Sequence, residues 1–429
     1  MSELRVNRIQ SQSGLPIETP TGIGFTPAGV GAVATTVQSK LREFVSVKDF
    51  GAVGDGIADD TAAIQAALNS GAYLVLLPLG TYKTTSTIYI PDRVTFRGQG
   101  TSSIINASAV SGAAIKSYFG PFSTFKIEQR LEDLKITGTS TYGVIWSGST
   151  TGGMKNVWVA GTHTHGFIVD GSFGCLFEQL KTYGAQISGA CFWAGADFNA
   201  NHLNGLYTST FSSVNFLSSS DANAITGYTN RFPNGHGSTL TNVCCQGGVV
   251  GMALDSVNFG GWTINAPYFE NCVTPIRLGN GTSLCRSVTI NSPFMLAPAF
   301  SGHPGGTSVC AIDIDNAVNV VINNPEMGDW GGTTDYIQYR LSHSVLINGF
   351  YSATVGIGGV MSGKIKYKAG ADSDGGVMLI GEEFNAGPTG SRNHFLMMKT
   401  HGFSYQYYKM TLTAAGAWSA ASFVPSAAS

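Results

Sequence analysis

The sequence predicts an all-β fold in which parallel strands stack into a solenoid. A motif repeats through the middle of the chain, with its asparagine at Asn242, Asn265, Asn291, Asn323 and Asn348. The steps of 23, 26, 32 and 25 residues are typical of solenoid repeats with variable loops. Charged residues make up only 12% of the chain and glycine occupies 56 positions, which favours short strands and tight turns over helices.

Alignment of the repeats predicts which residues stack. Phe269, Met295 and Met327 follow the repeated asparagines at one offset, so we expect them to lie above one another in the core. We expect the asparagines to bond from turn to turn and the prolines after them to mark a corner. Earlier turns are recognisable at Leu134–Ile136, Val157–Val159 and Leu180–Tyr183.

Composition excludes several classes of function. The net charge is −2 without a basic tract, which argues against a nucleic-acid partner. The seven cysteines include no CxxC pair, so we expect them to be reduced thiols buried as small hydrophobic side chains. We accordingly expect the protein to be made and folded in a reducing cytoplasm. The start, Met1–Arg8, lacks a signal-peptide core, and the longest apolar stretch, Ala72–Leu77, is too short to enter a membrane. No motif indicates a cofactor.

Three parts of the chain are distinguished by their patterns. Residues 1–44 have no core of their own, and a helical stretch at Thr35–Phe44 carries a single apolar stripe of Val37, Leu41 and Phe44. Residues 45–362 form the solenoid. A helix beginning at Thr61, capped by Asp59 or Asp60, is expected to cover its open end through Ile64, Ala67 and Leu68. Residues 363–429 alternate as a small antiparallel β domain for trimerisation or receptor binding, which is expected to pack against its trimer mates or the end of the solenoid.

The opening of the solenoid resembles a known superfamily. Val47–Leu68, Leu77–Tyr82 and Ile90–Gly100 resemble the start of the pectate-lyase-like right-handed parallel β-helix, in the branch of bacteriophage tailspikes. The Gly54-Asp55-Gly56 motif within this opening is interpreted as a turn, because it lacks the residues of a phosphate or calcium loop.

The resemblance implies a function and partners. It implies a homotrimer in the virion that binds a phage tail adaptor or baseplate protein through residues 1–44. It also implies recognition and degradation of a host surface polysaccharide, either capsule or lipopolysaccharide, by hydrolysis in preference to lyase elimination. A non-catalytic receptor-binding adhesin of the same fold is the alternative. A secreted pectate-lyase-type enzyme is disfavoured by the missing signal peptide.

Hydrolysis of a glycosidic bond needs two carboxyl groups, roughly 5 Å apart for retention and roughly 6.5–9.5 Å apart for inversion. Stacked strands lie about 4.8 Å apart, so carboxylates one or two turns apart in a column suit this chemistry. Ten residues before Asn265, Asn291, Asn323 and Asn348 stand Asp255, Gly281, Asp313 and Gln338. Asp255 and Asp313 are therefore expected to be two turns apart, at about 9.6 Å.

Further candidates lie close to this column. The predicted catalytic residues are Asp255, Glu270, Asp313 and Glu326, and the predicted sugar-stacking aromatics are Trp262, Tyr268, Trp330 and Tyr336. Rival acidic residues with a similar claim are Asp170, Glu178, Asp197 and Asp221. The pair His163 and His165 could begin a metal site, but no third ligand is identifiable, so hydrogen-bonded turn histidines are favoured and no metal is predicted.

Overall fold

The chain folds as a parallel β-solenoid in a computed structural model. The structure describes residues 23–117, 126–182, 185–187, 191–194, 198–199, 202–209, 228–231, 237–246, 250–254, 261–270, 272, 274–279, 284–296, 310–328, 335–340, 343–352, 365–367, 377–384, 392–399, 405–412 and 418–422. The prediction of an all-β solenoid is confirmed.

One face of the solenoid is an 11-stranded sheet, here called sheet A, in which every pairing is parallel. Its strands are Ile88–Tyr89, Ala113–Lys116, Tyr142–Ser147, His165–Asp170, Phe192–Ala194, Tyr228–Arg231, Val250–Leu254, Thr274–Leu278, Cys310–Asp315, Asp335–Arg340 and Ile365–Tyr367. Ile115, Val144, Phe167 and Phe192 pair in register and are fully buried, so this part of the sheet presents a continuous apolar column to the core.

The rest of each turn lies in a second sheet, here called sheet B, which bends at a corner. Its parallel strands are Phe44–Ser46, Asp55–Asp59, Leu74–Leu76, Gly80–Lys83, Thr95–Arg97, Ser103–Asn106, Arg130–Thr137, Gly153–Val159, Leu176–Lys181, His202–Ser209, Thr239–Gln246, Trp262–Asn265, Tyr268–Glu270, Cys285–Asn291, Phe294–Leu296, Ala317–Asn323, Glu326–Gly328, His343–Ser352 and Val377–Phe384. Leu134 pairs with Val157 and Ile136 with Val159, which confirms the stacking predicted for these early turns.

The corner of sheet B has a constant backbone conformation. One residue per turn takes a left-handed φ of 47–56°, namely Asp133, Asn156, Gln179, Asn242, Ala266, Ser292 and Asn324. Such a φ is uncommon outside glycine, and Asn and Asp tolerate it best. Prolines follow it in the later turns, and the Phe294 amide donates to the carbonyl of Pro267. The predicted proline corner is confirmed.

The residues just before this corner form the predicted asparagine ladder. Asn265, Asn291, Asn323 and Asn348 pair in register. Asn323 Nδ2 donates to Asn291 Oδ1 and Asn291 Nδ2 to Asn265 Oδ1, each at 2.9 Å. The inclusion of Asn242 was wrong, because Thr241 pairs with Asn265 and Asn242 is itself the left-handed corner residue.

The core is a column filled by both sheets. Phe269, Met295 and Met327 pair in register and are fully buried, as predicted. None of the seven cysteines is in a disulfide; six of them are buried and Cys244 is partly exposed. Short parallel strands stack beside the main sheets at Lys126–Ile127, Ser149–Thr150, Ser172–Phe173 and Phe198–Asn199, and at Gly161–His163 and Ala185–Ile187.

The N-terminal part contains the described helices. They are α-helices at Val37–Leu41 and Thr61–Leu68 and a 3₁₀ helix at Val47–Phe50. None of these is long enough to cross a membrane. The predicted helix over Thr35–Phe44 is shorter, since Thr35–Thr36 pairs with Gly24–Phe25 and Phe44 begins a strand of sheet B.

The second α-helix begins as predicted at Thr61, and its Ile64, Ala67 and Leu68 are buried. The Thr61 amide donates to Asp59 Oδ1 at 3.0 Å, whereas Asp60 accepts from the amides of Val53 and Gly54. That the helix covers the open end of the stack stays a prediction. In Gly54-Asp55-Gly56 both glycines have positive φ and Asp55 Oδ1 accepts from the amides of Ile57 and Ala58, as in the predicted turn. These hydrogen bonds hold the pKa of Asp55 below its usual value.

The C-terminal part departs from the predicted boundary at residue 363. Ile365–Tyr367 still pairs in parallel with sheet A, and Val377–Phe384 pairs in parallel with His343–Ser352. Antiparallel pairing joins that strand to Arg392–Lys399, followed by Tyr405–Leu412 and Trp418–Ser422. The antiparallel part therefore begins after the solenoid has extended beyond residue 363.

Candidate functional site

One surface column on sheet B brings together three of the residues singled out from the sequence. Cys244, Tyr268, Phe294 and Glu326 pair in register on successive turns, and Gln246 pairs with Glu270 two residues further along the same strands. We call these six residues the aromatic stripe. Its side chains point outward because the intervening residues, among them Phe269, are fully buried and side chains alternate along a strand.

The centre of the stripe is a stacked aromatic pair. The rings of Tyr268 and Phe294 have centroids 5.6 Å apart and planes inclined by 10°. Both side chains are partly exposed. Because the strand register fixes the two rings at the same position on neighbouring turns, they present a combined apolar surface without the help of a loop.

Glu270 lies beside this pair within a polar network. Its Oε2 accepts from Gln246 Nε2 at 2.7 Å and from Tyr268 Oη at 3.4 Å. Burial, followed by the charge of Glu270, raises the pKa of the Cys244 thiol to about 12. The same two causes, in the same order, raise the pKa of the Tyr268 hydroxyl. A second negative charge is therefore disfavoured next to the Glu270 carboxylate.

Glu326 is exposed and follows Phe294 in the column. Glu326 shares its column with Tyr268, which lies two turns away. Glu270 follows Tyr268 by two residues, so it is displaced from Glu326 by two turns and by two positions along the strand. These offsets place the two Cα atoms about 12 Å apart. Glu270 is bonded to Gln246 on the turn away from Glu326, so the two carboxyl groups are brought onto one surface but not into contact.

Asp313 lies on a different surface. It is on sheet A, paired with Arg277 on one side and Gln338 on the other. Arg277, not Gly281, occupies its column, and Ala253 comes next. The predicted column of Asp255, Gly281 and Asp313 is therefore wrong. Counting ten residues back from each asparagine crosses a loop whose length changes from turn to turn. Asp255 itself lies outside the described residues.

The aromatic residues predicted to bind sugar also lie in different parts of the solenoid. Tyr268 lies in the stripe, but Trp262 has only 1% of its surface exposed and packs inside the core, so it has no face to offer a sugar. The prediction of Trp262 as a binding residue is wrong because its alternation places it inward with Ile264. Tyr336 lies on the strand Asp335–Arg340 of sheet A, and Trp330 lies outside the described residues.

Among the rival acidic residues, Glu178 has a structural environment of its own. It belongs to a charged ladder that occupies the asparagine column in earlier turns, in the order Arg97, Glu132, Lys155 and Glu178. Arg97 Nε donates to Glu132 Oε2 at 2.7 Å, and Lys155 Nζ lies 3.3 Å from Glu178 Oε2. Asp170 ends a strand of sheet A, and Asp197 and Asp221 lie outside the described residues.

The two histidines have separate environments. His163 is buried, with Nδ1 2.7 Å from the carbonyl of Ser140 and Nε2 2.9 Å from that of Ala160. His165 points outward, with its ring stacked on that of Tyr142 at a centroid distance of 5.8 Å and in tilted contact with that of Trp193 at 4.8 Å. Within the described part of the chain, no group of three His, Cys, Asp or Glu side chains is arranged to hold a metal ion.

Sequence reasoning missed three members of the stripe: Phe294, Gln246 and Cys244, the last of which was expected to be a buried hydrophobe. The signal for Phe294 was present in the aligned repeats, where Tyr268, Phe294 and Glu326 occupy one position after the proline. Gln246 had no such signal, because its turn lacks the proline of the later repeats. The asparagine of that turn, Asn242, is also one residue out of line with the ladder, in which Thr241 pairs with Asn265.

Comparison with known proteins shows which proteins this chain resembles. Residues 44–188 match the family "Rhamnogalacturonase A/epimerase, pectate lyase-like". The tail spike protein of Shigella phage Sf6 is 31% identical over 120 residues, which cover 26% of this chain and 19% of that protein. A glucan 1,3-beta-glucosidase of Cochliobolus carbonum is 38% identical over 72 residues, covering 16% and 9%.

The chain thus spans less than a fifth of the length of these relatives. A solved structure, a tailspike protein mutant of E. coli bacteriophage HK620 in complex with pentasaccharide, has the same fold, with a TM-score of 0.63 at 12% identity over 86% of this chain and 69% of that one. The match of residues 44–188 and the parallel β-solenoid thus make the chain similar to pectate-lyase-like β-helix proteins, among them phage tailspikes.

Proposed function

We propose that this protein is a virion spike that recognises a host surface polysaccharide through the aromatic stripe. The observation that carries the proposal is the stacked pair of Tyr268 and Phe294 beside the Glu270–Gln246 network. A partly exposed aromatic surface next to a carboxylate and an amide is suited to a sugar, because the ring face packs on C–H groups while the polar groups bond hydroxyls.

The geometry suits a chain of sugars better than a single one. The stripe runs along the solenoid axis in steps of about 4.8 Å, so sugar units can lie on Tyr268, Phe294 and Glu326 in turn. The HK620 tailspike, which has the same fold, was solved with a pentasaccharide. That protein's ligand supports a polysaccharide as the partner of this chain as well.

Attachment to the virion through residues 1–44 and assembly into a homotrimer belong to the same proposal. Among the described residues, exposed apolar side chains concentrate near the N-terminus: Ile23, Phe25, Val30, Val33, Leu41 and Phe44. Apolar surface of this kind is typical of protein interfaces. A phage tail adaptor or baseplate protein and two further copies of the chain are the proposed partners.

Cleavage of the bound polysaccharide is the second part of the proposal. Glu270 and Glu326 are the proposed acid and base, because they are the predicted carboxylates that share one surface with Phe294 between them. With Cα atoms about 12 Å apart, both side chains must lean inward to reach the inverting range of roughly 6.5–9.5 Å. The adhesin alternative needs no such movement. Asp313, on sheet A, would act only at a separate site.

Binding and cleavage can be tested separately with a panel of purified bacterial capsular and lipopolysaccharide glycans. We expect Tyr268→Ala and Phe294→Ala each to weaken binding at least tenfold, which corresponds to about 1.4 kcal/mol. Tyr142→Ala, an outward aromatic on sheet A, is the matched control and should bind normally. Equal binding by all three variants would refute the stripe.

Cleavage is followed by chain length and new reducing ends. Shortening by the wild type that is lost in Glu270→Gln and Glu326→Gln, with binding retained, supports the hydrolase. Absence of shortening between pH 4 and 9, with binding intact, establishes the adhesin alternative. Shortening by both variants would exclude these two residues as the acid and base.

A further inference from the structure

One aromatic and two basic side chains lie together on the early turns of sheet B. Lys135, Trp158 and Lys181 pair in register on three successive turns. The residue before each of them is fully buried, so the three side chains point outward by the alternation of a strand. We call these three residues the Trp158 cluster.

The aromatic ring of the cluster holds one of its ammonium groups in place. Lys135 Nζ lies 4.3 Å from the centroid of the Trp158 ring, a distance at which the ring attracts a cation. Lys135 and Trp158 are partly exposed and Lys181 is exposed, so a ligand can reach all three. A charged donor is thus fixed beside a flat apolar surface before a ligand binds, which lowers the entropy lost on binding.

The two lysines of the cluster have no carboxylate partner among the described residues, where neither of them makes an ion pair. The acidic members of the charged ladder pair with its own basic members. Asp133, two residues before Lys135, accepts a hydrogen bond from Asn156 Nδ2 at 2.9 Å. The cluster therefore presents two positive charges on either side of one aromatic ring.

The cluster stands in the same column as the aromatic stripe. Tyr207 pairs with Lys181 on one side and with Cys244 on the other, so Trp158 precedes Tyr268 by four turns. Four steps of the strand spacing separate the two aromatic positions by about 19 Å. Lysines mark the early end of this column, whereas its late end carries the two carboxylates of the stripe. A glycan that lies along the column therefore meets a positive end and a negative end.

We propose that the Trp158 cluster binds a carboxylate-bearing sugar of the polysaccharide, so that the glycan recognised by this protein is anionic. The C–H groups of that sugar pack on the exposed part of the Trp158 ring, and its carboxylate accepts hydrogen bonds from the ammonium groups of Lys135 and Lys181. A neutral sugar at this position leaves both ammonium groups without an anion. The inference rests on the proposed function, because it assigns the charge class of the glycan that lies on the stripe.

The charge pattern favours a glycan with acidic units among neutral ones over a uniformly charged chain. The net charge of the protein is −2, and the carboxylates of Glu270 and Glu326 repel an anion at the late end of the column. A polyphosphate or a nucleic acid would carry negative charge along its whole length and meet this repulsion. A single carboxylate at the Trp158 cluster does not.

The same polysaccharide in two charge states tests the inference. Uronate-containing capsular glycans are compared with their carboxyl-reduced forms, in which each uronate has become a neutral hexose and the linkages are unchanged. We expect the wild type to bind at least one acidic glycan about tenfold more tightly than its reduced form at about 0.05 M salt. The difference should shrink at about 0.5 M salt, because ions screen exposed charges.

Variants of single lysines locate the effect. Lys135→Met and Lys181→Met should each weaken binding of the acidic form about tenfold and leave binding of the reduced form unchanged. Lys181→Arg keeps the positive charge and should bind the acidic form within about threefold of the wild type. Lys155→Met is the matched control, since it removes a nearby lysine that is already paired with Glu178, and it should change affinity less than about twofold.

The outcomes separate this inference from the proposed function. If the wild type binds only neutral glycans, and Tyr268→Ala weakens that binding, the proposed function stands and the inference is overturned. If acidic glycans need the two lysines but bind equally well to the Tyr268→Ala and Phe294→Ala variants, the cluster is supported and the stripe is refuted. An effect of Lys155→Met as large as that of Lys181→Met, or equal affinity for inorganic polyphosphate, would show a diffuse positive field and overturn the cluster. Binding of no glycan would overturn both proposals.

Discussion

The asparagine ladder makes a prediction whose size follows from its hydrogen bonds. Asn291 accepts from Asn323 and donates to Asn265, whereas Asn265 takes part in one ladder bond. A net hydrogen bond contributes about 1 kcal/mol to stability. We therefore expect Asn291→Ala to lower the free energy of unfolding by about 2 kcal/mol and Asn265→Ala by about 1 kcal/mol.

The chain supplies its own control for this series. Asn348 stands in the same column, but it is exposed and makes no side-chain ladder bond among the described residues. Asn348→Ala should therefore change stability by less than about 0.5 kcal/mol. Guanidinium unfolding, followed by the fluorescence of tryptophans that include the buried Trp262, reports on these turns.

The double variant Asn265→Ala/Asn291→Ala sharpens the test. Because the two substitutions remove one shared bond, we expect their combined cost to fall short of the sum by about 1 kcal/mol. Strict additivity, or an Asn348→Ala cost equal to that of Asn291→Ala, would show that the column acts through strand propensity and not through the amide bonds.

Three further predictions concern other parts of the solenoid. Gly153→Ala places a Cβ against the carbonyl of Leu176 at a φ of 149° and should cost more than about 3 kcal/mol in chemical denaturation, whereas Gly174→Ala, also at positive φ but with open space, should cost about 1 kcal/mol. Arg97→Met leaves the Glu132 carboxylate, whose side chain is 10% exposed, without its partner and should lower the free energy of unfolding by about 3 kcal/mol. Lys155→Met removes one member of an exposed ion pair and should lower it by less than about 1 kcal/mol. Comparable losses of stability in the two variants would contradict this ranking. The folded-state pKa of the Cys244 thiol is raised to about 12, so the stability contributed by the neutral thiol is present below the unfolded-state pKa near 9 and is lost as pH rises through 12. Iodoacetamide should therefore modify Cys244 slowly at pH 8 and faster in the Glu270→Gln variant. Equal rates in the two proteins would refute the effect of Glu270 on the thiol.

The sequence was a good guide wherever prediction stayed within a strand. Asn265, Asn291 and Asn323 align because the motif itself carries their register, and Phe269, Met295 and Met327 follow by alternation. The burial of Trp262 follows from the same alternation, because Trp262 lies two residues before the buried Ile264. Its prediction as a sugar-binding residue depended on its aromatic type and not on this position.

Prediction failed where it crossed from one sheet to the other. Arg277 stands fourteen residues before Asn291, and Asp313 stands ten before Asn323, although the two share a column. No local signal in the sequence measures such a loop, because its length has little effect on the strands it joins. The composition of the stripe, with Gln246 beside Glu270, likewise depends on a register that becomes visible only in three dimensions.

The left-handed corner has a consequence for how this protein can change in length. A single left-handed residue turns the chain there at Asn242, Ala266, Ser292 and Asn324, whereas the connection from sheet B to sheet A in these repeats varies from three residues, after Glu270, to thirteen, after Leu296. One extra residue at the corner would turn every following side chain of its strand to the opposite face. We therefore expect loops of new length to be tolerated after Leu296, whereas insertions at the corner would disrupt the stack.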